Sequence, residues 1–203
     1  MSFLRKILRP PAERLRPLPL LAIFAMLVAS CKYTPQPGLN NSARPSEGEE
    51  AKIGSLVLKS FEIPEGGPLS KRHTCDGENV SPPLKIEGIP EGTESFTLIV
   101  EDPDAPEGNW VHWLVWNISP QFDEIPEGSV PPSAIQGTND FGYEGWGGPC
   151  PPPGRAHRYV FKLYALDNLT ELRKGERKPV LEKVMEGHIL AQAELVGTYE
   201  RGR

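Results

Sequence analysis

The run Gly147-Gly-Pro-Cys-Pro-Pro-Pro-Gly154 constrains this chain more than any other stretch. Proline fixes its own φ, carries no N–H, and within sheets is confined to edges and bulges. The run is therefore neither helix nor interior strand, and reads as a stiff loop. His157 and Tyr159 follow it at strand spacing, two polar rings on one face. The same arrangement occurs earlier, where Asp102-Pro-Asp-Ala-Pro106 precedes Trp110-Val-His112. Rigid loops that deliver polar rings suit the rim of a small-molecule pocket. With 23 prolines and 20 glycines in 203 residues, the chain is a poor candidate for a helical bundle and suits a loop-rich β protein.

Residues 1–30 read as a leader rather than as part of the fold. Arg5, Lys6, Arg9, Arg14 and Arg16 form a basic region, Leu18 to Val28 an apolar run, and small residues precede Cys31. That is the layout of a secretory signal, and the run is short for a membrane span. Leu27-Val-Ala-Ser-Cys31 resembles a bacterial lipobox, which implies lipidation of Cys31 and cleavage before it. The competing readings are an ordinary signal with an incidental cysteine and an uncleaved anchor. The lipobox reading predicts an exported protein, lipid-anchored to the cell envelope at the outer membrane or on the periplasmic or extracellular face. Residues 31–50, rich in Pro, Asn, Ser, Gly and Glu, read as a flexible tether, and 51–203 as one domain. The leader holds five basic residues and one acid, which leaves 17 basic and 26 acidic residues and a net charge of −9. Such a surface excludes nucleic acid as a partner and requires any bound anion to have a local site. In an exported chain Cys75 and Cys150 form either a disulfide or a pair of small buried thiols.

The pattern along the domain is mostly β. Ser55–Phe61, Ser95–Val100, Trp110–Ile118, Arg158–Leu166 and Glu194–Tyr199 are expected strands, with Trp110–Ile118, apolar on both faces, in the sheet interior. Turn clusters between them suit a two-sheet sandwich. One helix is expected after Pro179, with Val180, Leu181, Val184, Met185 and Ile189 on one stripe and His188 at its C-terminal end. Strict alternation puts His112, Leu114 and Trp116 on one face of their strand and Val111, Trp113 and Val115 on the other.

The residues with binding chemistry are His112, His157, Tyr159 and Asp102. Imidazoles and a phenol donate hydrogen bonds to oxyanions, and an acid beside a histidine favours its charged form. Backbone N–H groups at Gly147, Gly148 and Gly154 are further candidate donors. Each residue also has an ordinary structural role: a satisfied strand histidine, a turn-forming Asp-Pro-Asp, or a core tryptophan. His73 reads as structural.

Five segments carry a resemblance that spacing alone does not. Thr74-Cys-Asp-Gly-Glu-Asn-Val-Ser-Pro-Pro-Leu84, Asp102-Pro-Asp-Ala-Pro106, Trp110-Val-His-Trp113, the Gly147–Gly154 run and His157-Arg-Tyr159 occur in an order that resembles the phosphatidylethanolamine-binding protein family, most closely its shorter bacterial and archaeal Raf kinase inhibitor-like branch. The resemblance implies a mostly β, two-sheet antiparallel sandwich with one or two peripheral helices, and a small cavity for phosphate, acetate or a phosphorylated head group. It implies binding roles for Asp102, Asp104, Pro106, Trp110, His112, Pro151, Pro152, Gly154, His157 and Tyr159. The chain departs from the mammalian pattern at Cys150, where that branch has glycine. Its loop from Pro151 to His157 is one residue shorter, and a C-terminal segment that shapes the mammalian pocket is missing after Tyr199. Kinase inhibition and lipid-acyl contacts are therefore not carried over.

The leading functional expectation is a non-catalytic, membrane-anchored protein that binds a small anionic or phosphorylated ligand, with no cofactor, metal or catalytic residue. The alternative is an inhibitor or regulator of a protein partner, a protease or kinase-like protein, through the pocket-rim loops. Less favoured are a metalloenzyme using His112, His157 and Asp102, and a thiol enzyme with Cys150 as nucleophile and His157 as base.

Overall fold

The computed structural model describes residues 55–202; the leader, Cys31 and the tether lie outside the described residues. In chain order the strands and the helix are β1 (Val57–Lys59), β2 (Leu84–Glu87), β3 (Ser95–Asp102), β4 (Trp110–Ile118), β5 (Glu124–Ile125), β6 (Ile135–Gln136), β7 (His157–Leu166), α1 (Lys178–Met185) and β8 (Ile189–Tyr199). A three-residue 3-10 turn at Lys71–His73 precedes β2. β1, β2 and β5 form one antiparallel sheet, and β6-β4-β3-β7-β8 form a second. This is the mostly β, two-sheet architecture expected from the sequence.

The core follows from strand alternation. Leu58, Leu84, Ile86 and Ile125 of the small sheet meet Phe96, Leu98, Val100, Trp113, Val115, Phe161, Leu163 and Leu195 of the large one. Each fully buried side chain of this size contributes roughly 1.5–3 kcal/mol. The outer face of the large sheet has its own cluster, where Ile99, Val111, Leu114, Trp116 and Leu166 receive Leu181 and Met185 from α1. β3 and β4 are thus covered on both faces, which is why both read as nearly continuous apolar runs.

Two expectations about local structure are corrected. The helix ends at Met185, where Gly187 at φ +81° turns the chain, so His188 lies beyond it and bonds Asp167 across 2.7 Å. Val180 and Ile189 are exposed, not part of the buried stripe, and Ile189 opens β8. The second correction concerns His112. Pairing runs Val100↔Trp113 and then Glu101↔Val111, so His112 is the extra residue of a β-bulge. A bulge shifts the alternation by one place. Val111 therefore joins Leu114 and Trp116 on the helix side, and His112 turns inward toward Tyr159 and Trp146.

Candidate functional site

The C-terminal end of β3 and the N-terminal ends of β4 and β7 lie together at one end of the large sheet. Asp102 is the last residue of β3, His112 stands at the bulge of β4, and His157 opens β7. All three are buried. His157 Nδ1–H donates to Asp102 Oδ2 across 2.7 Å, and the other carboxylate oxygen accepts the Asp104 N–H across 2.8 Å in an Asp-Pro-Asp turn.

His112 is held differently. Its Nδ1 faces the carbonyl of Gly147 and must donate, because a carbonyl oxygen only accepts. Gly147 returns its own N–H to the His112 carbonyl across 2.9 Å. A side chain at Gly147 would lie 2.4 Å from the Phe141 ring, and one at Gly148 2.3 Å from Asn79 Oδ1, so both must be glycine for this close approach. Burial pushes the His112 pKa below its ordinary value, against the Gly147 bond and the charges of Asp102 and Asp140. The Tyr159 ring meets the His112 ring edge-on, with centroids 5.1 Å apart. Burial raises the Tyr159 pKa, and the charge of Asp102 adds to the effect. The Trp110 indole N–H is buried without a hydrogen-bond partner among the described residues, and the Tyr159 hydroxyl is buried beside Asp102.

A cavity of about 300 Å³ opens here, lined by Asp102, Ala105, Pro106, Glu107, Trp110, His112, Phe141, Cys150 and Pro152. Its lining takes in five of the expected residues, Asp102, Pro106, Trp110, His112 and Pro152. His157 and Tyr159 stand behind that wall, against Asp102 and His112 respectively. Pro151 and Gly154 belong to the loop without lining the cavity. Asp104 is turned away and braces the loop, its carboxylate accepting from the Arg158 backbone N–H and guanidinium across 2.9–3.0 Å. Those bonds hold its pKa well below the usual carboxylate range. The N–H groups of Gly147 and Gly148 are committed to His112 and Asn79, so they are not free donors for a ligand. Sequence reading missed Phe141, Ala105 and Glu107. Phe141 sits in a Gly- and Asn-containing loop with no periodicity, yet packs edge-on against both Trp110 and His112.

Cys75 and Cys150 are joined by a disulfide. Cys150 therefore carries no thiol to act as a nucleophile. The bond ties the pocket wall to the segment after the 3-10 turn, where Asp76 accepts from Tyr199 Oη and Arg201 Nε. Asp102, His112 and His157 are not among the ligand sets whose donor atoms all lie within 4.8 Å of one another.

A two-sheet antiparallel sandwich with a histidine–acid cluster behind a compact cavity at one sheet end defines a class of small β-sandwich proteins. The chain belongs to the phosphatidylethanolamine-binding protein family, whose profile matches residues 59–200. It is 52% identical over 162 residues to a UPF0098 protein of Pyrococcus abyssi, an alignment that covers 76% of this chain and 88% of that one. A UPF0098 protein of Methanothermobacter thermautotrophicus is 45% identical over 152 residues, 72% of this chain and all of that one. Among solved structures, a putative phosphatidylethanolamine-binding protein homolog of Chlamydia trachomatis matches with a TM-score of 0.69 at 42% identity, covering 73% of this chain and 99% of that one. Escherichia coli YbcL, described as a new member of the mammalian PEBP family, matches with a TM-score of 0.69 at 36% identity over 72% of this chain and 99% of that one.

Proposed function

We propose that this protein is a lipid-tethered, non-catalytic binding protein whose pocket receives a small anion or a phosphorylated head group. The observation that carries the reading is a cavity lined by Asp102, His112 and Trp110, the last with its indole N–H buried and without a hydrogen-bond partner among the described residues. A buried N–H left unpaired costs about 1–3 kcal/mol, which a ligand acceptor recovers. His157, oriented by Asp102, presents Nε2 as its second polar atom and supplies a charge-assisted donor when both nitrogens are protonated. Each such bond contributes roughly 1.5–3 kcal/mol, which after binding costs places affinity in the micromolar to millimolar range. Titration calorimetry with inorganic phosphate and with phosphoethanolamine tests the site. His157→Ala is expected to abolish measurable binding, and an unchanged affinity removes the assignment.

The tether follows from the basic region, apolar run and Leu27-Val-Ala-Ser-Cys31 order of the leader. Multiple acyl chains hold a protein firmly at a membrane surface. Cys31→Ser is expected to move the protein out of the membrane fraction and to leave the leader uncut. A variant that still fractionates with membranes and shows a processed N-terminus refutes the lipid anchor.

A further inference from the structure

Outside the pocket, three loop residues far apart in sequence come together. Glu62 lies in the bend after β1, His73 closes the 3-10 turn, and Glu127 lies in the turn after β5. One ligand atom from each falls within 4.8 Å of the other two. His73 is wholly buried, and its Nδ1–H donates to the Val80 carbonyl across 3.0 Å. A ring fixed this way presents Nε2 as its remaining ligand atom, the arrangement that orients metal-binding histidines. That nitrogen donates its N–H to Glu62 Oε2 across 2.6 Å, and a cation bound there would take the place of this proton, which passes to solvent. One carboxylate would satisfy the ring, yet Glu127 is turned in as well. Its Oε1 is buried and has no hydrogen bond among the described residues. Arg72 Nε stands 3.0 Å from that oxygen as an ion-pair partner, without a hydrogen aligned on it. Glu62 and Glu127 have side chains 38% and 30% exposed, so the cluster opens to solvent and a cation has a way in.

We propose that Glu62, His73 and Glu127 form a binding site for a divalent transition cation of the zinc type, with water completing its coordination. One imidazole nitrogen and two carboxylate oxygens are a ligand set zinc accepts, and three protein ligands leave a position open. Calcium and magnesium, which take oxygen ligands, fit a histidine-centred set less well. The site is independent of the pocket and shares no residue with it. The cation would clamp three loops that no sheet pairing holds in register, and would compete with Arg72 for Glu127.

Equilibrium dialysis of the full chain against Zn²⁺ at neutral pH tests the site. One equivalent is expected. Glu62→Gln and Glu127→Gln, on part-exposed side chains and isosteric, are each expected to weaken uptake at least roughly tenfold. Circular dichroism establishes that both variants remain folded. Arg72→Gln removes the competing cation and is expected to tighten uptake, whereas His157→Ala is expected to leave it as in the wild type. Absence of uptake by the wild type overturns the proposal, as does affinity that ignores both glutamate variants. Loss of zinc in His157→Ala would put the cation in the pocket and overturn it equally.

Discussion

Glu101 and Asp102 are adjacent on β3, both are buried carboxylates, and alternation sends them to opposite faces of the sheet. Glu101 faces outward and is fully engaged. Asn109 Nδ2 donates across 2.7 Å, Lys162 Nζ across 2.9 Å, and Lys178 at the start of α1 closes the set. Burial pushes its pKa up, but the bonds from Lys178, Lys162 and Asn109 outweigh it and hold the carboxyl below its ordinary value. Asp102 faces inward and lines the cavity, and its partner is an imidazole rather than a fixed ammonium. The difference teaches how to tell a structural buried acid from a binding one. Where every partner is a cation anchored on sheet or helix, the acid joins elements. Where the partner is a ring with a second polar nitrogen, the acid sets the state of that nitrogen.

Exchanging these two acids is the sharpest way to break the contrast. Glu101→Ala strands two lysines and is expected to cost about 3 kcal/mol of stability, the low end for a buried pair because both lysines reach solvent. Denaturant unfolding measures it, and phosphate affinity of the folded variant should not change. The sign with pH is fixed by the lowered pKa. The Glu101 contribution is fully present above the unfolded value near 4.5 and is lost as pH falls through the lower folded value. Wild-type stability should therefore decline more steeply in acid than that of Glu101→Ala. Asp102→Asn keeps one acceptor oxygen, for either His157 or the Asp104 N–H, sets an amide NH2 against the other donor, and removes the charge. It is expected to weaken phosphate about tenfold, roughly 1.4 kcal/mol, with a smaller loss of stability. Equal effects of the two variants on both measurements would erase the distinction.

The legible part of this molecule was what one strand can show alone. β4 was read to its observed ends because it is apolar on both faces, and β3 and β7 because β-branched and aromatic residues run between turn signals. β5 and β6 are two residues each and carry no period. The first half of β8, from Ile189 to Ala193, is half-exposed and holds two alanines, so it lacks the apolar alternation that marks a strand. The pocket residues of β3, β4 and β7 came from motif resemblance and spacing. The bulge at His112 could not be read, because β4 is buried on both faces, and in a nearly uniform apolar run the one-place shift of alternation has no polar residues to mark it. Phe141 was invisible because its place depends on Gly147 admitting the ring. The Glu62–His73–Glu127 set has no spacing signature, because each residue comes from a different loop.

The two histidines extend the contrast between the acids, and the smallest effect concerns them. His157 has a carboxylate on Nδ1, whereas His112 has only the Gly147 carbonyl there. With Nδ1 donating and the pKa held down by burial, neutral His112 presents Nε2 as an acceptor. A carboxylate or phosphate ligand also brings acceptors, so His112 must gain a proton on Nε2 before it can contribute a donor. A bound anion then raises the pKa of this ring, and affinity must fall as pH rises through the window between the free and bound values. Acetate is the suitable probe, since its own titration lies in the carboxylate range and does not follow the ring into neutral pH. Acetate affinity is expected to fall as pH rises above the lowered value of the free His112 ring, by no more than about tenfold per pH unit, the limit for one proton. His112→Gln offers an amide donor that does not titrate, so its profile should be flatter. A wild-type profile that is already flat, or a slope undiminished in His112→Gln, would show that the inward turn of His112 serves packing against Tyr159 rather than ligand capture.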